Sequence, residues 1–300
     1  MAKNPRSRSS ELTGGDGFTY EDTVAAWYLA ALLREEPAPG TRGTVVRVAV
    51  QQKALGDPLD DLIVDSDEAG VRTRLSLQVK KQVTVSSSNG DFTEIIAEAV
   101  ATRARPEFQV GKDRYGFIVR SISISGLENL DRIIGFATAS TNGQEFVRRF
   151  APQAEANASM IAMRDDVRSM IGPADDDAEW DFYRHFVAYR LDNLRDGEDR
   201  FVELSNRLNV VAEAPGSNIV PVVCQEVRRG ESKAKVWTRN SLIADLRTKV
   251  SLRVAPTYDR DLKALSDIAR NYVEEIRADI GGTTLDRDGL IEAAESAASK

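Results

Sequence analysis

Three side chains in the first third of the chain have the types and spacing for phosphodiester chemistry. Asp61 enters the apolar run Leu62-Ile63-Val64, and Gln78 and Lys80 leave the run Leu75-Ser76-Leu77-Gln78-Val79-Lys80. Side chains on a strand alternate in direction, so Gln78 and Lys80 share one face if this run is extended. The interval between Asp61 and Gln78 suits two strands of about six residues joined by a short polar turn over residues 66–70. Asp61 would then sit opposite Gln78 and Lys80. A hard divalent cation such as Mg²⁺ takes oxygen ligands, typically one or two carboxylates completed by water and phosphate. Asp61 would supply a carboxylate and Gln78 a neutral oxygen, while Lys80 would orient the attacking water and offset phosphate charge. Asp60 could exchange roles with Asp61, but Asp61 is the one that directly precedes the apolar run.

The elements that must hold these residues are legible around them. A glycine-rich entry, Gly14-Gly15-Asp16-Gly17, leads into a helix dense in apolar residues (Val24, Trp27, Tyr28, Leu32, Leu33) that stops near Pro37 and Pro39. Glu21 falls in its first turn, where an acid suits the helix dipole; it also stands where it could face the hairpin as a further ligand. Residues 44–50 are β-branched and read as a strand, as do residues 59–64 and 71–79. A polar loop, Ser86-Ser87-Ser88-Asn89 among it, precedes a helix capped by Asp91 or Thr93 and faced by Phe92, Ile95, Ile96 and Ala99. Residues 115–125 read as a fourth strand. Helix, three strands, helix, strand is an α/β core with a mixed sheet.

Beyond Leu127 the pattern becomes helical, first around Leu130, Ile133, Ile134 and Ala137. Helices are expected near 145–150, 154–170, 175–191, with Phe186 and Val187 inside the last, and 200–211. Residues 219–227 fit helix or strand. A further helix is capped by Thr238 or Asn240, and two more lie at 258–280 and 286–298. Residues 1–13 read as a disordered tail, 14–140 as the α/β domain, 141–280 as a helical domain and 281–300 as a linker with an open-ended helix.

Composition narrows the chemistry. The chain has 300 residues, 42% hydrophobic and 29% charged, with formal net charge −7. This is ordinary globular composition, and the net charge leaves room for a local basic groove. His185 and Cys224 are the only residues of their kinds, so paired-histidine sites, zinc clusters and intrachain disulfides are excluded, and a reducing cytoplasm fits best. His185 reads as a packing residue and Cys224 as a small buried apolar one. The basic, Ser-rich start is no secretory signal, and no window resembles a membrane span. Arg103, Arg105, Lys112, Arg114, Arg120 and Lys81 are candidate phosphate contacts, which would give binding with little sequence preference and strong salt dependence.

An acid on a first helix, an Asp entering an apolar strand and a following Gln-x-Lys resemble the PD-(D/E)xK nuclease superfamily, whose fold is a restriction-endonuclease-like mixed sheet flanked by helices. Gly17-Phe18-Thr19-Tyr20-Glu21, Asp60-Asp61-Leu62-Ile63-Val64 and Leu77-Gln78-Val79-Lys80 resemble the double-stranded DNA endonuclease domains of bacterial antiphage proteins, in cyclic-oligonucleotide signalling and in STAND NTPase fusions. The resemblance covers residues 14–140. It implies Glu21 as the helix acid, Asp61 as the metal-binding aspartate, Gln78 in place of the usual acid and Lys80 as the catalytic lysine. Mg²⁺ or Mn²⁺ would be the cofactor and double-stranded DNA the substrate. Activity would follow assembly into a homo-oligomer or a larger defence complex with an NTPase or sensor. Residues 279–291 resemble the linker before a STAND NTPase domain, so the chain is expected to be the N-terminal part of a longer protein. No Walker sequence occurs within it. The competing class is a non-catalytic α/β-plus-helical adaptor; an RNA substrate is a third reading.

Overall fold

The computed structural model describes residues 18–152 and 154–254. The expected tail, the helices at 258–280 and 286–298 and the linker lie outside the described residues.

Helix α1 (Tyr20–Arg34) opens on a capping box in which Thr19 and Asp22 exchange side-chain and backbone hydrogen bonds. Apart from Glu21 and Arg34 every residue of α1 is buried, and a helix apolar all round belongs inside the molecule. Strand β1 (Thr44–Val50) follows. Then a single 3₁₀ turn over Gln52–Leu55 leads to β2 (Leu62–Glu68) and β3 (Val71–Gln82). The strand expected at 59–64 thus begins three residues later and continues through Ser66-Asp67-Glu68. The turn shrinks to Ala69-Gly70, both at positive φ (52° and 88°), a pairing whose twist matches that of the flanking strands.

Helix α2 (Gly90–Arg103) is capped by Asn89, whose side chain accepts the Phe92 N–H, rather than by Asp91 or Thr93. Strand β4 (Arg114–Ser121) ends earlier than expected, because Ser123 caps α3 (Ile124–Ala139). Next come α4 (Gly143–Arg148), α5 (Ala158–Ile171) and α6 (Asp176–His185). The helix expected through residue 191 stops at His185. Phe186–Arg190 instead form β5, parallel to β4. Gly116 permits this: a Cβ there would lie 1.8 Å from the Val187 carbonyl oxygen. Helices α7 (Asp199–Val211) and α8 (Gly216–Glu231), strand β6 (Val236–Thr238) and helix α9 (Arg239–Arg247) complete the described chain. The stretch 219–227 is therefore helical.

The result is a mixed α/β fold. Six strands in the order β5-β4-β3-β2-β1-β6 form one sheet, and nine α-helices among the described residues flank it. Strands β1, β2 and β3 are antiparallel, β3, β4 and β5 are parallel, and β6 runs antiparallel beside β1. The region read as mainly helical beyond residue 140 thus contributes two strands, β5 and β6, to the same sheet. One apolar core packs α1, α7, α8 and α9 on the face carrying Leu75, Leu77 and Val79. The other packs α2 to α6 on the face carrying Tyr115, Phe117 and Val119.

Candidate functional site

The register of the hairpin sets the site. Leu62 opposes Leu77 as the final pair of β2 and β3, so Asp61 stands just beyond the end of the ladder. There the Val79 N–H has lost its strand partner, and Asp61 Oδ2 accepts it at 2.9 Å. Gln51 donates its amide to the other carboxylate oxygen at 3.3 Å. Burial pushes the Asp61 carboxyl up to about 7; the Val79 N–H opposes the rise, Glu21 and Asp60 add to it, and Lys80 draws it back.

Gln78 and Lys80 do share a face, the one covered by α2. Lys80 Nζ lies 3.6 Å from Glu94, and Gln78 donates its amide to Glu98 at 2.6 Å. The match is geometric: two residues along a strand advance about 6.6 Å, and four residues along a helix advance about 6 Å. Glu98 also pairs with Lys53 at 2.7 Å. Burial raises the carboxyl of Asp60, Lys53 draws it back and Glu98 adds to the rise. Asp60 therefore faces Lys53 and Glu98, whereas Asp61 faces Glu21 and Lys80. Gln78 is 4% exposed, and its Oε1 has no hydrogen-bond partner. A buried amide oxygen without a donor is costly unless something completes it.

Glu21 approaches from the opposite face of the sheet, in the first turn of α1. Burial raises its carboxyl, Lys80 draws it back and Asp22 adds to the rise. Asp22 itself is buried and pairs with Arg228 of α8 at 2.5 Å. One turn on, Glu231 is raised to about 7 by burial first, then by Asp22 and Glu21, with Arg228 opposing and Asp61 adding. Of the expected residues, the fold brings Glu21, Asp61 and Lys80 into mutual electrostatic range and turns the amide nitrogen of Gln78 onto Glu98. Sequence reading missed Glu94, Glu98 and Glu231. For the first two the available signal was an i, i+4 acidic pair on the helix after Gln-x-Lys; Glu231 had none. Among the described residues, no group of three or more His, Cys, Asp or Glu is placed to hold a metal ion.

The basic candidates divide. Lys80 aligns with Val119 on β4, whereas Arg114 aligns with Leu75, so roughly 17 Å of strand separates them. Arg103 pairs with Asp181 at 2.7 Å and Arg105 with Asp57, both at the Arg114 end. Of the strand residues considered, Lys81 and Arg120 remain near Lys80. The serine loop is tied down: Ser87 donates its hydroxyl to Asp166 of α5 at 2.9 Å. His185 packs as expected, 3% exposed against Phe108 and Tyr115. Cys224 is buried. No helix among the described residues is long and apolar enough to cross a membrane.

No protein-family model matches the chain, and no curated protein matches it. Solved structures similar to it include the Cap4 SAVED/CARF-domain containing receptor of Acinetobacter baumannii with the cyclic trinucleotide 3'3'3'-cAAA. The identity is 12% and the TM-score 0.45, over 78% of this chain and 44% of that one. The Cap4 SAVED/CARF-domain containing receptor of Moraxella osloensis is similar at 14% identity and TM-score 0.41, over 78% of this chain and 48% of that one. The chain thus spans less than half the length of these receptor chains.

Proposed function

We propose that this chain is a metal-dependent endonuclease acting on double-stranded DNA with little sequence preference, and that its site is the end of the β2–β3 hairpin. The observation that carries the reading is the placement of Asp61 beyond the last ladder pair, where it is held by the Val79 N–H and shares an electrostatic neighbourhood with Lys80 and Glu21. The donor set suits Mg²⁺ or Mn²⁺. Asp61 and Glu21 would offer carboxylates and Gln78 an unpartnered buried oxygen, while Glu98 holds the amide nitrogen of Gln78. Fewer than three carboxylates converge, which fits an ion completed by water and substrate phosphate. A bound divalent ion lowers the pKa of its water and polarises the phosphate.

The chain's own groups do the rest. Lys80, partly exposed, offsets phosphate charge and orients the water. Glu94 holds the Lys80 ammonium, and the Val79 N–H fixes Asp61. The setting in antiphage defence, and silence until assembly, rest on the motif resemblance and are part of the proposal.

The test is nicking of supercoiled plasmid with Mg²⁺. Asp61→Ala and Lys80→Ala should each lower the rate by about 10² or more while far-ultraviolet circular dichroism stays unchanged. Undiminished nicking by both purified variants would sink the nuclease and leave the adaptor.

A further inference from the structure

The end of the sheet away from Asp61 holds a concave feature. A pocket of about 190 Å³ opens where the start of β4 meets the ends of α3 and α6 and the bend before β1, and Arg42, Arg114 and Arg184 line it. Arg184 is accounted for: its guanidinium lies 4.3 Å from the Trp180 ring centroid and is paired with Asp181 at 2.9 Å. Arg42 and Arg114 differ. Arg42 donates to the Gly111 carbonyl at 3.1 Å, and Gly111 is held in turn by donating its N–H to His185 Nε2 at 2.9 Å. Arg114 has the Tyr189 hydroxyl as a partner, and burial, then the Arg42 charge, push its guanidinium below the ordinary value.

Among the described residues no carboxylate forms an ion pair with Arg42 or Arg114. The acids nearby are committed. Asp113, in the pocket wall, accepts the N–H groups of Arg74 and Gln109, and Asp181 accepts from Arg103 and Arg184. Two guanidinium groups brought together without a counter-charge repel one another, and an anion between them would reverse the sign of that interaction. Planar guanidinium forks suit phosphate oxygens in particular. The volume lies below the roughly 300–1,000 Å³ of clefts that enclose a whole small molecule, so the fit is to a phosphate group whose remainder lies outside.

We propose that this pocket is an anion site that takes a phosphate group on Arg42 and Arg114, separate from the Asp61–Lys80 end of the sheet. Its source is either the backbone of a nucleic acid lying across this end or a free nucleotide, and one experiment separates them. Binding of a labelled short duplex is followed by fluorescence anisotropy between about 50 and 200 mM salt, with metal chelated so that cleavage plays no part. Thermal unfolding is followed in parallel with and without AMP. Arg42→Gln is the primary variant, because Arg42 is exposed and its loss leaves the core intact; Arg114→Gln is the second.

If the phosphate belongs to a backbone, each variant makes the log–log salt slope shallower by about 1. If it belongs to a nucleotide, AMP raises the unfolding temperature of the natural chain and of neither variant, and the duplex slope stays put. Unchanged slope and unchanged AMP response in Arg42→Gln would overturn the site. So would an equal slope change in Arg200→Gln, an exposed arginine paired with Glu203 on α7, since net charge alone would then explain it.

Discussion

Asp61 shows how position converts an ordinary carboxylate into a poised one. It is half-buried, next to Asp60 in sequence and near Glu21 in space, and those surroundings push its carboxyl up to about 7. A folded value raised above the unfolded one, near 3.9, gives a stability contribution complete at pH below the unfolded value. That contribution is lost as pH rises through about 7, where the buried group must ionise. Asp61→Asn removes the ionisation and keeps an oxygen for the Val79 N–H. In chelator, the variant should therefore unfold at a higher temperature than the natural chain near pH 8, with the difference shrinking toward pH 5. A difference that stays flat with pH would contradict this account of the group. Lys80→Ala, by removing a positive charge that favours the carboxylate, should raise the pH at which Asp61 ionises.

At the scale of elements, α2 is the part that completes the site. Its cap, Asn89, accepts the Phe92 N–H at 2.9 Å, and Glu94 and Glu98 lie in the turns that follow. Asn89→Ala should cost about 1 kcal/mol in denaturant titration. It should also weaken plasmid nicking if α2 positions Lys80 as proposed. The β2–β3 turn offers a change of opposite sign. Ala69 sits at φ 52°, a conformation that costs a residue with a Cβ roughly 1–2 kcal/mol. Ala69→Gly relieves that strain while adding flexibility to the unfolded chain, so Ala69→Asn, which tolerates the same conformation, should show the cleaner gain, up to about 1 kcal/mol. Loss of stability in Ala69→Asn would mean that the turn is not held as described.

For the whole described molecule, each helical layer joins an apolar core to an ion pair with a buried acid. On the α1 side the core runs from Trp27 through Val223 and Trp237, and the buried Asp22 of α1 pairs with Arg228 of α8. On the other side α5 and α6 are joined by a buried ion pair. Arg164 donates twice to Glu179, both bonds 2.7 Å, and Glu179 is fully buried; Arg168 adds a third bond at 2.8 Å. Breaking such a pair strands a buried charge, so Glu179→Ala should destabilise by about 3–5 kcal/mol. The double change Arg164→Met with Glu179→Leu should recover much of that loss, as measured by denaturant unfolding. A loss from Glu179→Ala under 1 kcal/mol would show that water reaches the pair.

The sequence by itself determined the chemistry-bearing face. Alternation along 75–80 puts Gln78 and Lys80 together whatever surrounds them, and β-branched density fixes β1 over residues 44–50. Apolar residues around every side of α1 likewise announce a buried helix. Those signals are local, and local periodicity survives any tertiary arrangement. Phe186–Arg190 could not be read this way. Four apolar or aromatic residues and an arginine after a helix fit another helical turn as well as a strand, and the choice fell to β4, whose Gly116 lets a parallel neighbour approach. The partners of the site were equally out of reach. Glu98 reaches Gln78 only because α2 crosses β3, and Glu231 reaches Asp61's neighbourhood only because Arg228 docks α8 on Asp22. Residue types and strand parity are properties of the chain; which carboxylates share one low-dielectric space is decided by packing between elements far apart in sequence.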